Sequence, residues 1–172
     1  DSSWHNLPEI QGHGQGVGRQ YAAADVLERS GDASSLELEL AAAYPRVAEL
    51  RSYRRRVTLD RAPGSGPVVR IEDRWQLDPT GELAKNADVV LHHVIAGDIL
   101  EHSPGRLLVR ALSGGLAEMR WGTELGAGSL ERRRIEDPLL TASWGETMHR
   151  LKLTTEGSRA ATVTLQRFSE SE

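Results

Sequence analysis

The chain contains no cysteine. Disulfides, thiolate metal sites and a cysteine nucleophile are therefore excluded. It also lacks an excess of positive charge. The formal net charge is −4 over 172 residues, which argues against a general nucleic-acid binder, because phosphate binding needs a clustered positive surface. The same balance argues against simple charge attraction to an acidic polysaccharide, although local basic clusters can still serve that purpose. No apolar run approaches the ~20 residues of a membrane span, so no membrane partner is expected. The first residues show no leader pattern of basic then apolar residues, which says nothing about a longer parent. No internal repeat, glycine-rich phosphate loop, Ser-His-Asp order or paired-carboxylate spacing stands out.

What is present is enough for one domain over residues 1–172, and 38% hydrophobic residues can build a core. Ser35–Leu40 alternates cleanly, with Leu36, Leu38 and Leu40 on one face and Glu37 and Glu39 on the other. Period 2 with one charged face means a half-buried antiparallel strand. Strands are likewise expected at Tyr21–Arg29, Ser52–Arg61, Val68–Leu77, Val89–Ile95, Leu107–Leu112, Leu116–Trp121, Leu130–Glu136, Met148–Thr155 and Arg159–Phe168. Ala62-Pro63-Gly64-Ser65-Gly66-Pro67 is the clearest turn and makes a hairpin of its neighbours. Asp78-Pro79-Thr80-Gly81, Ser113-Gly114-Gly115 and Gly157-Ser158 mark others, and the tail Ser169–Glu172 should fray.

One segment carries a conflict. Leu36–Arg56 is rich in Ala, Leu, Glu and Arg, which favour helix. Pro45 interrupts it, and a residue before proline is pushed away from helical backbone. The reading is strand, one helical turn near Arg46–Leu50, then strand. About nine or ten short strands separated by frequent turns form the pattern of an all-β protein, an antiparallel β-sandwich.

Groups that can do chemistry are bunched in Asp1–Tyr21, DSSWHNLPEIQGHGQGVGRQY. Trp4 is a candidate platform for a sugar ring. Asn6 can orient His5 or meet a sugar hydroxyl, or simply form a turn. His13 and Gln15 are candidates for lining a cleft, against a solvated loop. His5 and His13 are eight residues apart in the sequence, which is not the i, i+4 spacing of a helical metal pair. Gly12, Gly14, Gly16 and Gly18 alternate and permit close backbone approach.

Elsewhere, His92 and His93 are adjacent on a strand and should face opposite ways, one packed and one exposed. His102 and His149 are expected at the surface. Arg54, Arg55 and Arg56, with Arg51 and Arg61 nearby, suit acidic sugars, but a charge run on a strand is more simply a solvated face with one arginine paired to Asp73 or Glu72. Arg132–Arg134 reads the same way. Trp75 and Trp121 fall inside strands and should be core, while Trp4 and Trp144 flank loops.

The segment Trp4-His5-Asn6-Leu7-Pro8-Glu9-Ile10-Gln11-Gly12-His13-Gly14-Gln15 resembles the start of a region partway into the C-terminal β-sandwich of heparinase II/III-like polysaccharide lyases. Ala41–Pro45, then Tyr53–Arg61, then Val69–Trp75 are similar to later runs of the same family, in the same order. The resemblance spans roughly the whole chain. It implies the C-terminal part of a longer lyase whose N-terminal α-helical toroid lies outside this chain, a supersandwich-like fragment. Such a parent cleaves uronic-acid polysaccharide by β-elimination and is secreted or periplasmic. The sandwich supports the toroid and lines one wall of the cleft, so its partners are an acidic polysaccharide and the helical domain. In several members the corresponding histidine, here His5, helps hold a structural zinc whose other ligands lie upstream. Zinc needs three or four ligands, so none is expected to be firmly bound here. No catalytic residue is assigned to this chain. If the first sandwich strands are missing, open edges predict a homodimer or strand exchange. The alternative is a non-catalytic carbohydrate-binding or structural sandwich module.

Overall fold

The computed structural model describes residues 4–62, 66–81, 89–155 and 157–169. The strands are β1 (Pro8–Ile10), β2 (Ala24–Arg29), β3 (Ala33–Glu39), β4 (Leu50–Asp60), β5 (Val68–Leu77), β6 (Val89–Ala96), β7 (Asp98–Ser103), β8 (Arg106–Arg110), β9 (Leu116–Trp121), β10 (Ser129–Arg134), β11 (Thr147–Thr154) and β12 (Ala160–Arg167). One α-helix, α1 (Pro138–Trp144), interrupts the series. The strands form two antiparallel sheets. The smaller has four strands in the order β1-β6-β11-β10, and the larger has eight in the order β2-β3-β4-β5-β12-β9-β8-β7. The all-β sandwich expected from the alternation is the observed architecture.

Period 2 decides what each sheet buries. On β4 and β5, Tyr53 and Trp75 pair across the strands and face inward; their rings stack at 5.8 Å and 12°. Leu107, Met119, Trp121 and Val163 continue that inner face across the large sheet, and Ile10, Val89, Leu91, Leu151 and Leu153 meet it from the small one, all buried. The chain crosses between sheets at Gly97, directly after β6. Its φ is +117° and an added Cβ would sit 2.2 Å from the Arg110 carbonyl oxygen, so this corner requires glycine.

A polar tie lies in the same apolar layer. Arg55 Nε donates to Asp73 Oδ1 at 2.7 Å and Nη2 donates to Oδ2 at 2.8 Å. Nη1 donates to the Asn6 carbonyl. The Asn6 side-chain oxygen accepts from the Val94 amide at 2.6 Å. An arginine of the large sheet is thus fastened to the lead-in of β1 and to β6 of the small sheet. Nearby, the Tyr44 hydroxyl donates to the Pro8 carbonyl at 2.6 Å. Burial pushes the Tyr44 and Tyr53 hydroxyls well above the usual phenol range, so both stay protonated. Burial pulls the other way on Arg55, but the Asp73 hydrogen bonds and charge more than offset it and its pKa is raised.

Several expectations change. Tyr21–Arg29 starts as a strand only at Ala24, and β7 was not anticipated; its apolar residues are few and its exposed face mostly polar. Leu130–Glu136 ends as a strand at Arg134, and α1 follows where no helix was expected. The helix-favouring Leu36–Arg56 segment holds two 3-10 turns, Ala41–Ala43 and Arg46–Ala48, between strands. Glu39 Oε1 accepts from the Ala41 and Tyr53 amides at 2.9 and 2.7 Å, so the turn is stapled by strand pairing that propensity cannot see. Of Arg54, Arg55 and Arg56, Arg55 is the one paired with Asp73, as expected of one arginine in the run, and it is buried. His92 and His93 do face opposite ways, yet both are buried. His93 points into the core; His92 lies on the outer face with Arg150, Glu9, Lys152 and Glu131 around it, and long side chains on flanking strands fold over it. His149 is half-buried on the inner face beside Leu151, because residues 149, 151 and 153 share parity. His102 is exposed, as expected. Residues 63–65 of the proline-glycine turn and 170–172 of the tail lie outside the described residues.

One edge of the large sheet is blunted. β2 is fully exposed, carries Asp25, Glu28 and Arg29, and has a bulge between Ala24 and Leu27. Charges and bulges of this kind disfavour pairing with another chain.

Two outcomes test this account. Asp73→Ala leaves the Arg55 charge buried without its counter-charge and should cost about 3–5 kcal/mol in urea unfolding, while the double change Arg55→Met with Asp73→Leu should recover most of it. Burial, then Arg55, pushes the His93 imidazole down to about 3. Between that value and the unfolded pKa of about 6.5 the unfolded chain binds the extra proton, so stability falls as pH drops through this window. His93 alone should remove about 2 kcal/mol between pH 7 and pH 5. The lowered values of His92 and His149 act in the same direction. His93→Gln should flatten the profile, and an unchanged slope of urea midpoint against pH would refute the assignment.

Candidate functional site

The first part of the site is the lead-in to β1, and a turn at Gln11-Gly12 follows that strand. Gln11 and Gly12 have φ of +52° and +77°, and Ile10 and His13 exchange backbone hydrogen bonds at 2.9 and 2.8 Å. Two consecutive positive-φ residues make the tight turn whose twist suits antiparallel strands. The turn folds His13 back on β1. Upstream of β1, Trp4, His5 and Asn6 run along the outer flank of the small sheet.

The second part is the excursion between β10 and β11. Asp137 caps α1, its Oδ1 accepting from the Leu139 and Leu140 amides at 2.8 and 3.3 Å. Pro138 occupies the first helical turn and Gly145 ends the helix at φ +77°. Asp before Pro, with Gly after the last turn, is a start-and-stop signal that the sequence carried. The Ile135 amide donates to Glu146 at 2.9 Å and closes the base of the excursion. The helix buries no residue; Leu139, Leu140 and Trp144 are 82%, 52% and 49% exposed.

Between these parts lies an open cleft of about 730 Å³. Trp4, Trp144, Leu140 and Met148 supply apolar walls, and His5, Asn6, Arg133, Arg134, Glu136 and Asp137 bring polar groups to it. Arg150 and Arg133 place their guanidinium carbons 4.9 and 5.4 Å from the Trp4 ring centre. Such contacts hold an indole with about 0.5–2 kcal/mol. Arg150 is itself held by Glu131, which also takes Lys152 Nζ at 3.0 Å. Hydrogen bonds from Arg150, then Lys152, lower the Glu131 carboxyl below its ordinary value. Trp4 is thus held against a charged lattice of Arg150, Glu131 and Lys152 that lies behind the cleft lining.

Trp4, His5 and Asn6 therefore come together. His13 and Gln15 do not line this cleft. Asn6 lines it, but its side-chain oxygen is committed to Val94. His5 is exposed, and among the described residues no group of three or more His, Asp or Glu side chains is placed to hold a metal. Arg133, Arg134 and Trp144 were legible as residues but not as neighbours, because only the β10–α1–β11 excursion sets them opposite Trp4. Trp75 and Trp121 are core, the latter donating its indole N–H to the Gly126 carbonyl at 2.8 Å.

Compared with known proteins, the chain matches no family model and no curated protein.

Asp137→Ala should remove the cap of α1 at a local cost of about 1 kcal/mol. Amide exchange over residues 138–145 should quicken roughly fivefold, with little change in global unfolding, since α1 buries nothing.

Proposed function

We propose that this chain is a carbohydrate-binding β-sandwich that serves as the wall of a cleft in a heparinase II/III-like polysaccharide lyase acting on uronic-acid chains. The observation that carries the reading is the cleft in which Trp4 and Trp144 stand beside Arg133 and Arg134. Indole faces suit the apolar side of sugar rings, and arginine forks suit carboxylates. The sequence resemblance supports the same substrate class.

The chain by itself binds rather than cleaves. Elimination needs a base, an acid and a group neutralising the carboxylate, all held in register. In this cleft the arginines meet the last need. Among the described residues no hydrogen bond orients the His5 side chain as a base, and the Asp137 carboxylate is occupied as a helix cap. Catalytic groups are the contribution of the α-helical domain in this reading. A free-standing carbohydrate-binding module is the second reading, favoured by the 49% exposure of Trp144 at the cleft.

Titration with oligo-uronates checks the proposal. Trp144→Ala should weaken binding about tenfold, about 1.4 kcal/mol, without changing the melting temperature, because Trp144 is half exposed. Binding unaffected by the substitution would overturn the assignment of the cleft. A lyase assay of the full-length parent beside this chain separates the two readings: unsaturated product from the parent alone supports the lyase wall, and none from a well-folded parent supports the module.

A further inference from the structure

On the outer face of the large sheet, away from the tryptophan cleft, four arginines converge. Ser52 and Arg54 of β4 and Arg74 and Gln76 of β5 alternate with the buried Tyr53 and Trp75, so they point outward. Arg54 is directly opposite Arg74, and Arg74 is directly opposite Ala160 of β12. The register shift between Leu50 and Ser52 adds Arg51 to the same cleft, since a bulge turns an extra side chain toward one side. Arg159, whose carbonyl accepts from the Trp75 amide at 3.0 Å, closes the far wall. The resulting cleft is about 1060 Å³, and none of its described lining residues is acidic.

The charges there are not spent on one another's partners. Arg54 is shared among Glu37, Glu39 and Asp25 at 3.3–3.7 Å. Arg51 lies within electrostatic reach of Asp78, whose carboxyl is engaged by Thr80. Arg74 and Arg159 have no ion pair and no side-chain hydrogen bond among the described residues. Like charges directly opposite on neighbouring strands destabilise a sheet, so Arg74 facing Arg54 has a cost without a structural return. In a chain of net charge −4 whose cations are almost all arginine, this concentration points to a ligand. Arginine forks match planar oxyanions in two-point contact, and the neutral Ser52, Gln76 and Ser158 add hydrogen-bonding groups to the same lining. Among the described lining residues there is no exposed aromatic platform of the kind that single-stranded nucleic acid uses.

We infer that this cleft is an anion site that takes a ligand bearing two or more carboxylate, sulfate or phosphate groups, with Arg74 and Arg159 as its principal contacts. The site is separate from the tryptophan cleft and stands whether or not the lyase reading holds. The multivalent oxyanion is either a free small molecule or a group borne on a polymer.

The test is calorimetric titration of the whole chain at low salt with pyrophosphate and citrate, and in a second arm with an oligogalacturonate. Binding of the free anions should be one to one, weaken steeply with salt, fall at least tenfold in Arg74→Gln and in Arg159→Gln, and stay unchanged in Trp144→Ala. Arg74→Lys should fall between, because it keeps the charge and loses the fork. Without ligand, Arg74→Gln should melt at the same or a higher temperature at low salt, which shows that lost binding is not lost folding. If the oligogalacturonate loses affinity in Arg74→Gln, the anion is accepted on a polymer; if only pyrophosphate and citrate do, it is a free small molecule. No binding of any probe at 10 mM, a rough ceiling for a weak ligand, or equal binding by parent and Arg74→Gln, would overturn the inference.

Discussion

The pair Arg55–Asp73 is the constraint around which the two sheets are organised. Asp73 is 2% exposed and Arg55 is 7% exposed, so neither charge is solvated. A buried pair of this kind is costly to desolvate and adds little net stability over an apolar substitute. Its consequence is geometric. The guanidinium has a third direction to satisfy, and it does so on the Asn6 carbonyl. That contact fixes the path of the chain just before β1. Asn6 in turn engages the Val94 amide of β6, and Trp4 and His5 are set on the outer flank of the small sheet by the same anchoring. A polar tie in the core thereby determines where the cleft-lining segment lies.

The two faces of the β4–β5 pair show how one alternating pattern supports two roles. Inward residues give the Tyr53–Trp75 stack and the Arg55–Asp73 pair. Outward residues give the arginine cleft. Charge is handled differently across the rest of that outer face. Glu118 is enclosed by Arg120, Arg106 and Gln166 at 2.6–3.2 Å. Its carboxyl is pushed down to about 2, mainly by the Arg120 hydrogen bond, against its partial burial. Around Glu118 the charges are mutually satisfied. Around Arg74 they are not, and that contrast sets the latter apart as a site.

Much of the fold was legible in the sequence because strand periodicity is local. The strand Ala33–Glu39, the core positions of Trp75 and Trp121 and the Gly157-Ser158 turn all rest on residues close in the chain, whereas the expected leucine face of that strand is only partly buried: Leu36 is 38% exposed, and Glu37 and Glu39 are half-buried beside Arg54. The Arg-to-acid pairing of β4 with Asp73 was legible as an option, since hairpin neighbours sit opposite one another. The helix α1 was missed although Asp137-Pro138 and Gly145 mark its ends, because at seven residues it is too short to show a 3.6-residue period. His92 was expected to be either the packed or the exposed partner of His93, and burial of both depends on what lies over an outer face, which parity cannot report.

By itself the sequence determined an all-β chain, the faces of its strands, the glycine and proline turns between them, and the chemical groups bunched near its start. Only the tertiary structure decided which strands share a sheet, that β6 and β11 lie apart from the β4–β5 hairpin, and that Trp4 meets Trp144 and Arg133. It also decided that Arg51, Arg74 and Arg159 share one cleft. The reason is the range of the interactions. Alternation and turn preference act over a few residues, whereas strand order and cleft composition follow from hydrogen bonds and packing between segments up to 88 residues apart, as between Asn6 and Val94.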